Sequence, residues 1–598
     1  MITLFGQIQK EEMEALKAKK PKRYEGLLAE RKKVAEAEDG LYILEALAAS
    51  GLRSIRYFQE IPNIRRLIVN DIADAAVASM KQNFAFNHLT SDRIVANQAD
   101  ATMLMYANRS PSHRFDVIDL DPYGSCSIFL DGAVQSLRDG GLLCVTSTDL
   151  TVLCGNHPEV AYSKYGSNCP KTVFCHELAV RILLHTIKLA AAKYGRNVEV
   201  LAAFQIDFYV RCFVRIWDSR SDVKRLASES SLLHYCPNCH NYQLQPLGRE
   251  KGGKFSAPGC VVDSKCNVCG GVYKLGGPIY AGELHDHDFV KRAIDLLDAQ
   301  FVSKSSEPLP NFKCSTHGIL LGMLTAMQEE IAMPLYFSFH GVASALRLTA
   351  PKYQEIASAL RNAGFATSQC HCDPLALKTN APGEVVFDVF RAYFRKFQLA
   401  EKQEWLEKLP EGFAKQYLSQ PATREYDFTL VPELKKEYTF PRFPGNPEAN
   451  WGPKARGSLK RSNIQQDNYS VKPEKKELMS RDAWRLAMRK SFCKMDMIDD
   501  NGNLVKEYFH PKKLKTWTLR EENLLIEGIK AYGVGEWERI RRDYLSDWVT
   551  EDIRLKACRL FGIQNIELYN GFKGDKDDIQ REWEKNRKTG LSQKLGLV

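Results

Sequence analysis

Two groups of residues in this 598-residue chain are spaced for chemistry. One is Asp119-Leu120-Asp121-Pro122-Tyr123-Gly124, at the end of the largely apolar run Phe115–Leu120. The run reads as a buried strand entering a sharp turn, and ligands of open α/β sheets bind just beyond the carboxyl ends of strands. A carboxylate, a proline and an aromatic ring there form a pocket for a flat, amino-bearing ring. The carboxylate and nearby carbonyls accept from an exocyclic NH2 while the tyrosine stacks on the ring. The same residues also suit a plain Pro-Gly turn with a helix-capping Asp. The other group is two Cys-x2-Cys pairs, Cys236/Cys239 and Cys266/Cys269, separated by 26 residues. Four thiolates at that spacing read as a tetrahedral zinc site with no open position, hence a structural one. The competing reading is four unlinked buried thiols.

The elements that must position the first group are legible around it. Tyr42–Ala46, Leu67–Asn70, Ile94–Ala96, Val117–Leu120 and Leu142–Thr146 read as strands, with helices such as Ser50–Glu60 and Ala73–Phe86 between them. That alternation predicts a parallel sheet covered on both faces. Val198–Ala203 and Asp207–Ile216 read as a terminal hairpin, giving a Rossmann-like α/β fold of class I methyltransferase type. The first strand ends in Glu45-Ala46-Leu47-Ala48-Ala49-Ser50-Gly51-Leu52-Arg53, with one glycine where pyrophosphate loops carry three. A single close-approach glycine suits S-adenosylmethionine, which has no phosphates. Asp71, after the second strand, is placed for ribose hydroxyls, and Asp100-Ala101, after the third, for an adenine amine. Each acid alone also reads as a helix cap; three at successive strand ends favour a cofactor.

These features, read together, resemble one family. Ala48–Arg56, the Asp119–Gly124 turn, Gly140-Gly141-Leu142-Leu143, Thr148-Asp149, Ser163-Lys164-Tyr165-Gly166, Asp207–Arg211 and Lys378-Thr379-Asn380-Ala381-Pro382 are similar to the tRNA (guanine-26-N2)-dimethyltransferases of eukaryotic type. The resemblance extends to about Pro453. It implies a class I methyltransferase domain, a family-specific second α/β domain, and methyl transfer from S-adenosylmethionine to guanine N2 of tRNA. It implies that Arg53, Asp71, Asp100 and Ala101 contact the cofactor, that Asp121 is the acid/base, and that Pro122 and Tyr123 shape the guanine site. Asp119 is the competing acid, on the same strand face but deeper. The family also carries a Phe-Tyr-Asn-Pro and Asn-Arg-Asp motif upstream of the helix that Ile2–Gln9 resembles. The expectation is a truncated start, the alternative a catalytically impaired RNA- or chromatin-binding protein on a methyltransferase scaffold.

The rest of the chain fits such a protein. At 44% hydrophobic and 26% charged residues it has the composition of a globular protein, and its net charge of +10 suits a polyanion. No apolar run approaches the roughly 18–20 residues of a membrane span, and no secretory signal opens the chain. A nuclear site is expected, with cytoplasm or mitochondrion as further compartments; in such reducing surroundings the 16 cysteines read as ligands and core thiols rather than disulfides.

The expected partition is 1–40 helical, 41–230 methyltransferase, 231–283 four-cysteine zinc segment, 284–450 second α/β domain binding tRNA, 451–510 basic linker, 511–575 a Myb/SANT-like three-helix domain and 576–598 a polar tail. Trp517 and Trp537 read as core tryptophans of the helical domain, with Arg554, Lys556 and Arg559 on its third helix for a DNA or chromatin contact. Leu284–Asp288, with its alternating His and Asp, reads as a solvated, capped helix start. Cys370-His371-Cys372 reads as structural or RNA-facing, and Lys378 as a tRNA-backbone contact.

Overall fold

The first strand, β1 (Leu41–Glu45), is buried along its whole length, and its residues divide between two cores. Tyr42 and Leu44 face one, Leu41 and Ile43 the other, as the period of two in a strand requires. The structure, a computed structural model, describes residues 1–32, 40–302, 316–436, 438–443, 517–563 and 565–592. It divides into two units, Met1–Leu459 and Lys460–Val598.

In the first unit, α1 (Ile2–Lys19) and α2 (Pro21–Lys32) precede β1. There follow α3 (Leu52–Glu60), β2 (Ile64–Asp71), α4 (Asp74–Phe86), β3 (Ile94–Gln98), α5 (Ala101–Ala107), β4 (Phe115–Leu120), α6 (Leu130–Ser136) and β5 (Leu137–Ser147). Then come α7 (Leu150–Leu153), α8 (Pro158–Tyr165), α9 (Cys175–Ala192), β6 (Arg196–Ile206) and β7 (Tyr209–Asp218). The sheet order is β3-β2-β1-β4-β5-β7-β6, with β1 to β5 parallel and β7 inserted antiparallel between β5 and β6. This is the class I methyltransferase arrangement expected from the alternation. Sequence and structure differ mainly at element ends: the hairpin turns at Asp207 and Phe208, with Asp207 at φ 46°, so β7 starts at Tyr209. The strand order reverses between β1 and β4, the point in the sheet where ligands bind in such folds, and Asp119 lies beside Glu45 there.

Beyond β7, Ser230–Tyr235, Tyr242–Pro246 and Lys274–Tyr280 form a three-stranded antiparallel sheet. A second small sheet, Phe337–Ser338, Thr367–Cys370 and Asp373–Thr379, is packed by helices Tyr353–Asn362 and Gly383–Phe397. Its core holds Phe339, Phe387 and Phe390.

The second unit consists, among its described residues, of helices Leu519–Tyr532, Trp537–Tyr544, Thr550–Phe561 and Lys576–Ser592. Trp548, not Trp537, is the buried tryptophan, and Trp517 stacks on it at 4.1 Å. Phe561 is fully buried, and Ile579 brings into the same core the stretch expected as a polar tail. That tail stretch is amphipathic, which its high charge masks. The basic linker expected around Lys454, Arg456, Lys460 and Arg461 lies outside the described residues.

Candidate active site

Gly51 ends the β1 loop at φ 72° and caps α3; a side chain there would press on Met80 and Phe84 at 3.2 Å. The glycine brings the backbone close to α4 and starts α3 so that Arg53 and Tyr57 face the end of β4. There Asp119, 1% exposed, takes Arg211 at 2.8 Å, Arg53 at 3.1 Å and the Tyr57 hydroxyl at 2.5 Å. Burial works to raise the Asp119 pKa, but Arg211, by charge and hydrogen bond, and Arg53 outweigh it and hold the carboxyl below its usual range. Asp119 is therefore a buried carboxylate held between two arginines.

Asp121 differs. Its side chain is 27% exposed and one oxygen, Oδ2, accepts from Arg53 Nη2. Arg53 thus bridges the two carboxylates with the two arms of its guanidinium. Pro122 is buried behind the turn, and Tyr123 is 99% exposed, its ring presented to solvent. Gly124 fastens the turn to Thr148, donating to Oγ1 at 2.6 Å and accepting from the backbone N–H at 3.0 Å. Next to Thr148, Asp149 accepts from the Ser147 and Tyr165 hydroxyls, each at 2.6 Å. The Thr148-Asp149 and Ser163–Gly166 motifs therefore meet as the support of the turn.

At the neighbouring strand ends, Asp71 accepts from the Ala49 and Ala73 N–H groups at 2.9 and 3.0 Å. Asp100 caps α5 by accepting from Met103 N–H at 2.9 Å, and Ala101 is buried. The capping roles weighed for these acids are present, and Asp71 draws the loop after β1 against the end of β2. Glu45, Tyr57 and Arg211 also belong to this end; Glu45 and Arg211 fall in recognisable stretches without a role assigned to them, and no short motif marks Tyr57. Glu45 is 3% exposed and accepts from the Ser54 hydroxyl; burial pushes its pKa up to about 7, with Asp119 and Asp121 adding to the rise and Ser54 and Arg53 opposing it.

A family model described as N2,N2-dimethylguanosine tRNA methyltransferase matches residues 6–391. The chain belongs to that family. It is 41% identical over 429 residues to the tRNA (guanine(26)-N(2))-dimethyltransferase of Schizosaccharomyces pombe, covering 70% of this chain and 75% of that one. It is 38% identical over 472 residues to the tRNA (guanine(26)-N(2))-dimethyltransferase of Homo sapiens, covering 76% and 69%. A solved structure of Trm1 from Pyrococcus horikoshii with S-adenosyl-L-methionine aligns at 29% identity and a TM-score of 0.49, over 59% of this chain and 88% of that one.

In this member of the dimethylguanosine methyltransferase family the four cysteines converge. Their sulfurs lie within 4.8 Å of one another, with Cys236–Cys269 at 3.4 Å and Cys239–Cys266 at 3.6 Å. Zn–S bonds of about 2.3 Å put tetrahedral sulfurs about 3.8 Å apart, so the set fits zinc with little movement. Each pair sits on a matching turn: Cys236 N–H donates to Asn241 C=O, and Cys266 N–H to Gly271 C=O, both at 2.8 Å. A side chain at Gly271 would meet the Cys236 and Cys269 sulfurs at 3.2 and 3.3 Å, so glycine keeps the cradle open. Asn238 and Asn241 direct amide N–H groups at Cys269 and Cys266, as suits thiolates. His240 bonds Tyr235 instead, and Cys260 is exposed.

At the joint between the sheet and the second α/β region two expectations need correction, and for Cys370-His371-Cys372 the structural of its two readings holds. Lys378 is not a tRNA contact: it is 1% exposed, with its ammonium 2.9 Å from Glu177 and 2.7 Å from Glu330. His285 is not solvated but 3% exposed, in edge contact with the buried ring of His371; the capping role falls to Asp286, which accepts from Phe289 N–H. Cys370-His371-Cys372 is structural rather than RNA-facing, since His371 pairs with Glu330 at 2.8 Å and Cys370 is buried. Burial works against the Glu330 carboxylate, yet Lys378 and His371 hold its pKa well below the usual range.

Proposed function

We propose that this chain transfers methyl groups from S-adenosylmethionine to the exocyclic N2 of guanine 26 in tRNA, forming N2-methyl- and N2,N2-dimethylguanosine. The observation that carries the reading is the Asp121-Pro122-Tyr123 turn at the carboxyl end of β4, in a chain that matches this family across the sheet and the second α/β region. Tyr123 offers an open ring face for the base. Asp121 keeps Oδ1 for the N2–H while Oδ2 stays anchored on Arg53.

The chemistry needs both features. An aryl amine is a weak nucleophile because its lone pair is delocalised into the ring. S-adenosylmethionine, when bound, supplies an electrophilic methyl; Arg53, Asp71, Asp100 and Ala101 are the residues expected to hold it, with Gly51 giving the close approach. Holding N2 about 3–3.5 Å from that methyl, in line, supplies much of the acceleration. Asp121 accepts the proton as N2 becomes cationic and stabilises the developing positive charge. Asp119 positions Arg53 and so fixes the orientation of Asp121.

A DNA or chromatin contact through the helical region stays part of the reading, although the charge of its described residues is nearly balanced. Residues 517–592 carry 14 Lys/Arg against 15 Asp/Glu. On its third helix, Arg554 pairs with Glu551 and Lys556 with Glu522. The nuclear location remains part of the reading, and among the described residues no helix is long and apolar enough to cross a membrane.

The test is transfer of labelled methyl groups to unmodified tRNA transcripts carrying guanine or adenine at position 26. Labelling confined to the guanine transcript is expected; equal labelling of both would sink the assignment. Metal analysis of the purified chain should find one zinc, lost on Cys239→Ser. Less than about half an equivalent in the unaltered chain counts against a closed four-thiolate site.

A further inference from the structure

The end of the sheet opposite Asp121 is built from arginines. Arg114 precedes β4, Arg196 opens β6, and Arg109 and Arg220 follow α5 and β7. With Tyr194 and Asp218 they line an open depression of about 730 Å3. Arg196 is 4% exposed and rigidly held, donating to the carbonyls of Val134, Leu137 and Arg138. Arg114 is fixed by its Nε bond to Arg109 C=O at 3.0 Å.

Among the residues lining the depression Asp218 is the one acid, 2.6 Å from Arg196 and 3.9 Å from Arg114. The acids just outside are already engaged: Asp131 by Lys193 and Tyr194, Asp139 by the Asp218 N–H. Four guanidiniums thus face one carboxylate. Burial lowers the basicity of Arg196, with Arg114 adding to the effect and Asp218 and Asp139 opposing it.

The turn Pro111–His113, between Arg109 and Arg114, is in contact with α2. Several arginines around one depression suit phosphates, which arginine grips through its planar fork.

We propose that this depression docks backbone phosphates of the RNA substrate, away from the reacting base. β4 has six residues, so the two sites are roughly 20 Å apart, within the span of one tRNA. The identity of the partner rests on the proposed function; the anion site itself does not. Contacts of this kind add affinity without reading sequence.

The experiment measures binding of an unmodified tRNA transcript to the full chain across a salt series, for the unaltered protein and for Arg109→Glu with Arg220→Glu. Both residues are exposed, and the melting temperature checks that the fold is kept. Binding about tenfold weaker at about 0.1 M salt is expected, with the log–log salt slope shallower by about 2. Arg109→Lys with Arg220→Lys should keep most of the slope. If the Glu pair melts early, Arg109→Gln with Arg220→Gln is read in its place.

An unchanged affinity and slope in a normally melting variant overturns the proposal. So does stabilisation of the unaltered chain by millimolar inorganic phosphate with no effect of the variants on RNA binding, which would make this a small-anion site. Normal labelling of guanine 26 alongside an unchanged slope removes this proposal alone. Absent labelling with a reduced slope removes the proposed reaction alone.

Discussion

The end of β4 and the joint at Lys378 are both built around two carboxylates and two cations, with His371 as a further partner of Glu330 in the joint. At the first, Asp119 and Asp121 meet Arg53 and Arg211; at the second, Glu177 and Glu330 meet Arg181 and Lys378. In the joint none of the four side chains is more than 2% exposed, and each charge is spent on another. At β4 Asp119 is sealed in the same way, but Arg211 is 11% exposed, and Asp121 and Arg53 reach the surface at 27% and 35%. Buried ion networks therefore say little about function by themselves. What distinguishes the site is the carboxylate oxygen left over at a strand end, beside an exposed ring.

Opposite responses to mutation follow from that difference. Asp121→Asn removes the proton acceptor but keeps the shape, so methyl transfer should fall by about 10²–10⁴-fold with an unchanged melting temperature. Full activity in this variant removes Asp121 from the chemistry. Lys378→Met should do the reverse. It leaves Glu177 and Glu330 without their shared cation, a loss of about 3–5 kcal/mol in unfolding free energy, seen as a lower denaturation midpoint. A variant as stable as the unaltered chain would show that the joint does not depend on the ion network.

A smaller effect separates the two regions by pH. The Glu45 pKa is raised to about 7 in the folded chain against 4.5 as the ordinary value. The folded state therefore binds the extra proton between those values. Its contribution to stability is fully present below about pH 4.5 and is lost as pH rises through about 7, a span of at most about 3 kcal/mol. Glu45→Gln should flatten that part of the stability–pH curve. Curves of equal slope for the two proteins would show that Glu45 titrates normally.

How much of this was legible in the sequence follows from what each signal measures. The seven strands follow from apolar runs and spacing, because burial on both sheet faces demands continuous apolar strands, whereas their order in the sheet is set by contacts that those runs do not record. The cysteine pairs were legible because metal coordination imposes short local spacing. The roles of Arg211 and Tyr57 were not, since they reach Asp119 from a distant strand and from α3, contacts that no local pattern records, even though Arg211 ends a recognisable motif. Lys378 misled for the same reason: a polar motif reads as a surface, and only the fold brings Glu177, 201 positions earlier, against it. Trp537 and Trp548 differ by one helix, and spacing alone did not say which of them was core.

The central claim is that this end of the sheet methylates one exocyclic nitrogen of one base. It is tested most directly by presenting the full chain with two tRNAs that differ only in guanine or inosine at position 26, and identifying the modified nucleosides by mass spectrometry. Inosine lacks N2 and keeps the rest of the base. N2-methylated guanosine from the first tRNA and no methylated nucleoside from the second is the predicted result. A methyl group on the inosine tRNA, or on any other atom of guanine 26, would contradict it.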